Sequence, residues 1–454
     1  MEKTIAGRLA DYGLSLRFES LPDDAVHEAK RRFIDAVGCA LGAAECPPAK
    51  AARLLAPSAG SGPAGVIGDY IRTTPDFAAF MNGIMVRYLD YNDTYLSLEP
   101  AHPSDNIPAA LAAAQASGRS GKDLIAATVA AYEVQCRLCD AASLRARGFD
   151  HVTYGAFSST LAASMLMGLT SDEAVNALGI AGVASPALRQ TRSGELSMWK
   201  GCAFANAARN AIFAAMLAKA GMTGPAPIFE GEFGFMRLIS GPLKLGDFGG
   251  EKGVAFKILD TCIKYFPAEY HAQSAIGAAM ELSREIEDVS SIESVAVYTF
   301  RAAFEIIGSG SERWKPATRE TADHSLPFCV GAALFDGNID LATFSEERLS
   351  DGGLLDLVSK IKVFVDPELD KLYPEAMPNR VEVTLKSGET LVREVMYPKG
   401  HPRDSLADSE LEEKFRSLAG PSFSDSRLDK TLDLLWNLDA HKDVEGILEV
   451  LRGK

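Results

Sequence analysis

A long polar stretch strung between two apolar helical patterns constrains this chain more than any other feature. Thr74, Pro75 and Asp76 read as an N-cap, a proline at the first helical position and an acid in the first turn. Phe77, Phe80, Met81, Ile84, Met85 and Tyr88 follow at helical spacing and predict a buried face that ends near Asp90. Downstream, Ser104, Asp105 and Asn106 offer caps, and 107–116 is an alanine-rich helix stopped by Gly118. A helix-to-helix connection needs only a few residues, whereas 91–103 is long and holds Pro100 and Pro103. Taken singly, Asn92, Asp93 and Asp105 are Asx turns and caps, and His102 sits in a solvated bend. Taken with Arg87, Asp90, Ser104 and Asn106, they mark a functional loop carried on a rigid scaffold.

Helical periodicity also covers 5–16 and 22–41, followed by a Gly/Pro/Ser-rich break at 57–65 and a short extended piece at 66–68. Further helices are predicted over 120–143, over 153–167 with Thr153 as N-cap, from the capping box at Thr170 and Glu173 to about Ser185, and over 196–220. From about Pro267 the style changes. After a helix over 269–286, residues 294–300, 362–366 and 380–386 alternate as strands, and Ser387 and Gly388 turn the chain into 390–396. Asp323, His324 and Ser325 begin a helix to about Phe335, and 404–454 returns to helix. The expected fold class is mainly α, with a large, all-helical, discontinuous domain (1–266 and 400–454) and a smaller α+β domain (267–399).

The net charge of −15 argues against nucleic acid and anionic membrane surfaces as partners. It does not exclude an anionic substrate, because the potential of a pocket is set locally. No apolar run reaches the roughly 18 to 20 residues of a membrane span, and the N-terminus lacks the apolar core of a signal peptide. Seven cysteines, an odd number, read as reduced thiols, so the cytoplasm is the expected compartment. Cys136 and Cys139 form a lone C-x-x-C on a helix, which reads as core rather than as a metal or redox site. No H-x-x-x-H spacing and no glycine-rich phosphate loop occur; GSGSER at 308–313 lacks a βαβ setting.

Two other polar islands stand out. His151 lies just ahead of a helix, where free N–H groups favour an anion, although alone it reads as a surface histidine. Lys200 would ordinarily snorkel to solvent, yet Trp199, Gly201, Cys202 and Ala203 beside it suit a partly closed pocket. A basic turn at 189–192 precedes it.

The run RYLDYNDTYLSLEPAHPSDN resembles the signature of the MmgE/PrpD family, most closely its 2-methylcitrate dehydratase branch. Further matches are GFDHVTYGAFSS (148–159), LRQTRSGELSMWKGCAFANAARN (188–210), KAGMTGPAPIFEGEFGF (219–235), KYFPAEYHAQ (264–273) and RETADHSLPF (319–328). Tyr91 and Ala101 depart from the pattern without removing a functional group. The resemblance implies that Asp93, His102, His151, Lys200 and Lys264 converge as catalytic residues, with Arg87, Asn92 and His324 binding substrate. It also implies a homodimer that eliminates water from a tricarboxylate with no cofactor and no metal. The residue types suit that reaction: two imidazoles can exchange protons near neutral pH, and lysines can offset carboxylate charge. Asp93 could orient one imidazole or act as the base. Alternatives within the family are decarboxylation of cis-aconitate and epimerisation of an amino-acid-derived diacid. A non-catalytic helical oligomerisation protein is the alternative from another class, and the clustered His, Lys and Asp speak against it.

Overall fold

The computed structural model describes residues 3–194 and 196–452; Met1, Glu2, Gly453 and Lys454 of the expected helical domain, and Glu195 of the 188–210 motif, lie outside the described residues. The chain divides into two compact units, one comprising Met1–Gly194, Met198–Thr261 and Ala407–Lys454, the other Glu195–Ser197 and Cys262–Leu406.

The first unit is built from α1 (Ile5–Ser15), α2 (Asp23–Gly42), α3 (Pro47–Ala59), α4 (Pro75–Tyr88), α5 (Ile107–Ala116), α6 (Gly121–Ala141), α7 (Val152–Met167), α8 (Ser171–Ala184) and α9 (Trp199–Lys219). The tail adds helices Asp408–Ala419, Asp425–Trp436 and Glu445–Leu451. Every residue of α7 except Met165 is buried. Its sequence is apolar or small on all sides, so it runs through the middle with α5, α6, α8 and α9 around it. By contrast α2 exposes Asp23, Asp24 and His27 near its start and buries most of the rest, Arg31, Arg32 and Asp35 included, with α4 and the tail helix Asp408–Ala419 packed on it.

Several local expectations are corrected. The helix begun at Pro47 runs through Pro57 to Ala59, so the expected break starts later, at Gly60. Extended structure lies not at 66–68 but in two-residue strands β1 (Ala64–Gly65) and β2 (Arg72–Thr73), paired antiparallel, so the unit is not wholly helical. Thr74 occupies the N-cap of α4 without a side-chain cap bond. Thr153 lies inside α7, whose N-cap is His151, and its hydroxyl instead accepts the Ala187 N–H at 3.0 Å.

Two close approaches set the geometry around α9. A Cβ on Gly83 of α4 would stand 3.0 Å from the Ala205 Cα, and one on Gly155 of α7 would meet the Phe204 ring at 2.2 Å. Glycine therefore lets α4 and α7 both press against α9 near its beginning. At the same end the Tyr88 Cα is 3.5 Å from where a Gly201 Cβ would be, so the C-terminus of α4 meets the N-terminus of α9.

The second unit holds a four-stranded sheet in the order β4-β3-β5-β6, from β3 (Ile292–Thr299), β4 (Ile361–Val365), β5 (Asn379–Leu385) and β6 (Thr390–Val395). β3 and β4 are parallel with Val295 opposite Ile361; β3 and β5 are antiparallel with Val297 opposite Val381. The β5–β6 hairpin turns at Gly388, whose φ of 89° favours glycine. Val295, Val297, Val381 and Val383 are buried, and helices Gln273–Ser283 and Leu326–Asp336 pack against the sheet. No helix of the described residues is long and apolar enough to cross a membrane.

Candidate active site

The polar stretch is a loop, but not a solvated one. A backbone bridge joins Tyr95 to Ala101, with N–H···O distances of 2.8 and 2.9 Å in the two directions. Buried Glu99 accepts from Ser143 Oγ and the Arg145 N–H, and Tyr95 OH donates to Asp140. At the far end Asn106 ties the 3-10 turn Pro103–Asn106 to the core: its Oδ1 accepts from Ser158 and Ser159 of α7 at 2.8 and 2.7 Å. A buried polar network with its partners in place fixes one conformation.

Within this frame His102 is oriented on both edges. Its Nδ1 lies 2.7 Å from the Asp93 carbonyl, which can only accept, so Nδ1 carries the proton. Nε2 then accepts from Arg87 Nη2 at 2.9 Å. His151, at the start of α7, has Nδ1 2.9 Å from Asp150 Oδ1, while its buried Nε2 meets no hydrogen-bond partner among the described residues. The two imidazoles lie edge to face with centroids 5.7 Å apart. Burial and then the charge of Arg192 push His151 down to about 4 against the pull of Asp150, so its imidazole is neutral at neutral pH. Burial alone would raise Asp150, but Arg192, whose Nε is 2.9 Å away, and then His151 outweigh it and hold the carboxyl well below the usual range.

The carboxylate facing this pair of histidines and their cations is Asp90, not Asp93. Asp90 pairs with Arg87 through one oxygen and with Lys200 Nζ through the other, at 3.2 Å. Lys200 stands in the first turn of α9, Arg87 in the last turn of α4, and both are buried. The carboxylate of Asp93 points away: Oδ1 accepts the Ser104 N–H at 2.9 Å, Oδ2 accepts from Tyr132 OH at 2.8 Å, and Arg32 of α2 is 3.6 Å distant. Burial nevertheless raises Asp93, against Arg32 and these hydrogen bonds. Asp93 thus touches the site through its carbonyl, a geometry that suits the first of its two expected roles, orienting an imidazole, rather than the second, acting as the base. The Asn92 amide nitrogen is likewise turned inward, to Ser104 Oγ and Asp105 Oδ1, both at 2.9 Å. Burial pushes Asp105 up to about 7, although Arg87 draws it down.

In the first unit, then, Arg87, His102, His151 and Lys200 come together. Asp90, Asp150 and Arg192 join them; Asp90 was expected in the loop but given no catalytic or substrate-binding role, and the other two were not expected at the site. The signals were present: Asp90 lies three residues after Arg87, and Asp150 directly precedes His151. Helices α7 and α9 both begin at the cluster, so their macrodipoles add positive potential to that of Arg87, Lys200 and Arg192. Lys264 and His324 belong to the second unit. There burial pushes Glu269 up, but His271 first, then His324 and Lys264, outweigh it and hold that carboxyl down at about 2. His324 Nδ1 also bonds Asp323. Cys136 and Cys139 are fully buried in α6, and burial, with neighbouring acidic groups, raises both thiols well above their ordinary range, as befits core cysteines.

Comparison with known proteins matches residues 7–246 to the MmgE/PrpD N-terminal domain and 266–439 to the MmgE/PrpD C-terminal domain. The chain is 32% identical to 2-methylcitrate dehydratase of Escherichia coli (strain K12), covering 87% of this chain and 85% of that protein. It is 30% identical to the enzyme of the same name from Salmonella typhimurium, over 94% and 92% of the two chains. A cis-aconitate decarboxylase-like protein of Aspergillus oryzae is 26% identical over 100% of this chain and 98% of that one.

Proposed function

The chain belongs to the MmgE/PrpD family and is an enzyme of the lyase class, and from that premise we propose that it is a 2-methylcitrate dehydratase, removing water to form 2-methyl-cis-aconitate. The observation that carries this reading is the pair of imidazoles 5.7 Å apart, His151 buried and His102 half-buried, set against Asp90, Arg87 and Lys200.

Elimination needs a base for a weakly acidic proton beside a carboxylate, a proton for the departing hydroxide, and a cation for the charge that develops on the carboxylate. His151 suits the base: it is neutral, its Nε2 is open, and Asp150 stabilises the imidazolium as it forms. His102 is assigned the second transfer. A substrate carboxylate draws Arg87 from Nε2, and the negative charges brought by the substrate favour the imidazolium that can protonate hydroxide. Arg87 and Lys200, fixed by the shared Asp90 carboxylate, stabilise the dianion that develops as the proton leaves. We include Lys264 and His324 as further substrate-binding groups on the strength of their motifs, Asn92 as a support of the loop, and Asp93 as the orienter of His102. No cofactor or metal takes part in this scheme.

The name of the Aspergillus oryzae relative favours a second reading, decarboxylation of cis-aconitate, which calls for the same cations. Incubating purified protein with 2-methylcitrate isomers, citrate and cis-aconitate and following products by NMR separates the two. An olefinic tricarboxylate from 2-methylcitrate supports dehydration; carbon dioxide and a dicarboxylate from cis-aconitate, with 2-methylcitrate untouched, would replace it.

We further propose a cytoplasmic homodimer. Its support is the set of exposed apolar side chains on two packed helices, Phe213 (52%) and Met216 (37%) on α9 and Val183 (59%) on α8. Light scattering giving only the monomer mass at micromolar concentration would count against it.

A further inference from the structure

Three residues in the first unit form a buried polar joint that no step above uses. Lys414, on the tail helix Asp408–Ala419, reaches the loop from a point remote in sequence. Its Nζ donates to the Tyr91 carbonyl at 2.8 Å, pairs with Asp35 Oδ1 of α2 at 2.6 Å, and lies 3.8 Å from the centroid of the Tyr91 ring. The side chains of Lys414 and Asp35 are 4% and 0% exposed. Phe415 and Leu418 bury the same helix against α2, so the position of Lys414 is set by packing.

A buried lysine–aspartate pair is a poor way to join two helices, since apolar side chains of similar volume serve as well or better. What an apolar side chain cannot do is hold a carbonyl. The carbonyl in question follows Asp90, whose φ of 51° places a non-glycine residue in the left-handed region. Such a conformation is unfavourable and persists only when its surroundings enforce it. From that backbone the Asp90 carboxylate reaches both Arg87 and Lys200.

We propose that Lys414 is a positioning residue for the reaction: by pinning Tyr91 it holds Asp90 in its left-handed conformation, and through Asp90 it sets Arg87 and Lys200. Asp35 supplies the counter-charge that lets the ammonium sit in the core. The joint makes the tail a working part of the loop it braces.

The proposal rests on the functional reading above, and the test separates their failures. Absence of turnover by the wild-type chain would sink that reading before any variant is compared. Given wild-type turnover, two double variants remove both buried charges, so neither leaves an unpaired ion. Asp35→Leu/Lys414→Met has no donor for Tyr91, whereas Asp35→Leu/Lys414→Gln keeps one. The methionine variant is expected to lose turnover number by about ten- to a hundredfold with little change in the Michaelis constant, as displacement of positioned groups does. The glutamine variant should recover most of that loss. Wild-type turnover in the methionine variant, or equal losses in both, would overturn the proposal. Should the methionine variant not fold, the glutamine variant decides: turnover within about threefold of wild type supports the joint, and a loss greater than about tenfold overturns it.

Discussion

Asp90 and Asp93 stand three residues apart on one loop, and both are buried, yet they are used in opposite ways. Asp93 is enclosed by Ser104, Tyr132 and Arg32, groups that belong to the scaffold. Asp90 takes a left-handed backbone and spends its two oxygens on Arg87 and Lys200, groups that stand among the histidines. One carboxylate holds the loop in place; the other is what the loop presents. Polar density in a sequence marks such a loop, but the direction of each side chain depends on backbone dihedrals and on partners far along the chain.

The largest effect that would sharpen this division is expected at the imidazole facing the presented side. His151→Ala should lower the turnover number by about 10²- to 10⁴-fold with little change in the Michaelis constant, because proton transfer is a transition-state event. Steady-state kinetics with near-normal turnover would move the base elsewhere. Lys200→Met, which deletes one partner of Asp90 and keeps apolar bulk, should lose transition-state stabilisation of about 1.5 to 3 kcal/mol in kcat/KM. A change in KM alone would reduce Lys200 to simple binding. On the scaffold side, Asp93→Asn should weaken folding by about 1 to 3 kcal/mol, read by denaturant titration, since Arg32 keeps Glu28 but loses its other charged partner.

The smallest effect is on pH dependence. Burial and Arg192 hold His151 at about 4, so the acid limb of kcat/KM should fall near that value, not near that of a free imidazole. The same shift has a sign for stability. An unfolded histidine takes up a proton below its ordinary range of about 6.5, which the folded residue resists until about 4. The folded state therefore loses this contribution as pH falls from the first value to the second. A melting profile that drops equally over that interval in wild type and His151→Gln would remove His151 as the cause.

Much of the scaffold was legible because its signals are local. The helix 107–116, the capping box at Thr170 and Glu173 and the hairpin at Gly388 each announce themselves within a few residues, and each is found at or next to its expected bounds. The alternating runs expected near 294, 362, 380 and 390 are strands, although their parallel and antiparallel order depends on contacts between distant segments. Thr153 reads as a cap because threonine is a common one; the chain instead enters α7 at His151, whose ring is held by Asp150, itself paired with Arg192. Pro57 reads as a break in the sequence, although α3 continues beyond it. At the site, His102, His151, Lys200 and Arg87 could be named because charged and imidazole groups amid apolar helices are conspicuous. Asp90 reads only as a member of the polar loop and Asp93 as its site carboxylate, since nothing local shows that the first adopts positive φ and the second turns toward Arg32. Lys414 lies on an otherwise ordinary amphipathic tail helix, and only the fold brings it to Tyr91.

The most direct test is to measure turnover of 2-methylcitrate and the melting temperature together for Asp90→Asn and Asp93→Asn. Asp90→Asn should lose about 10²- to 10³-fold in turnover number, the scale for removing a preorganised electrostatic contact, while remaining folded at the assay temperature. Asp93→Asn should melt earlier yet, assayed well below that temperature, keep most of its turnover, because its carbonyl still orients His102. Wild-type turnover in Asp90→Asn, with activity abolished in a folded Asp93→Asn, would contradict the account.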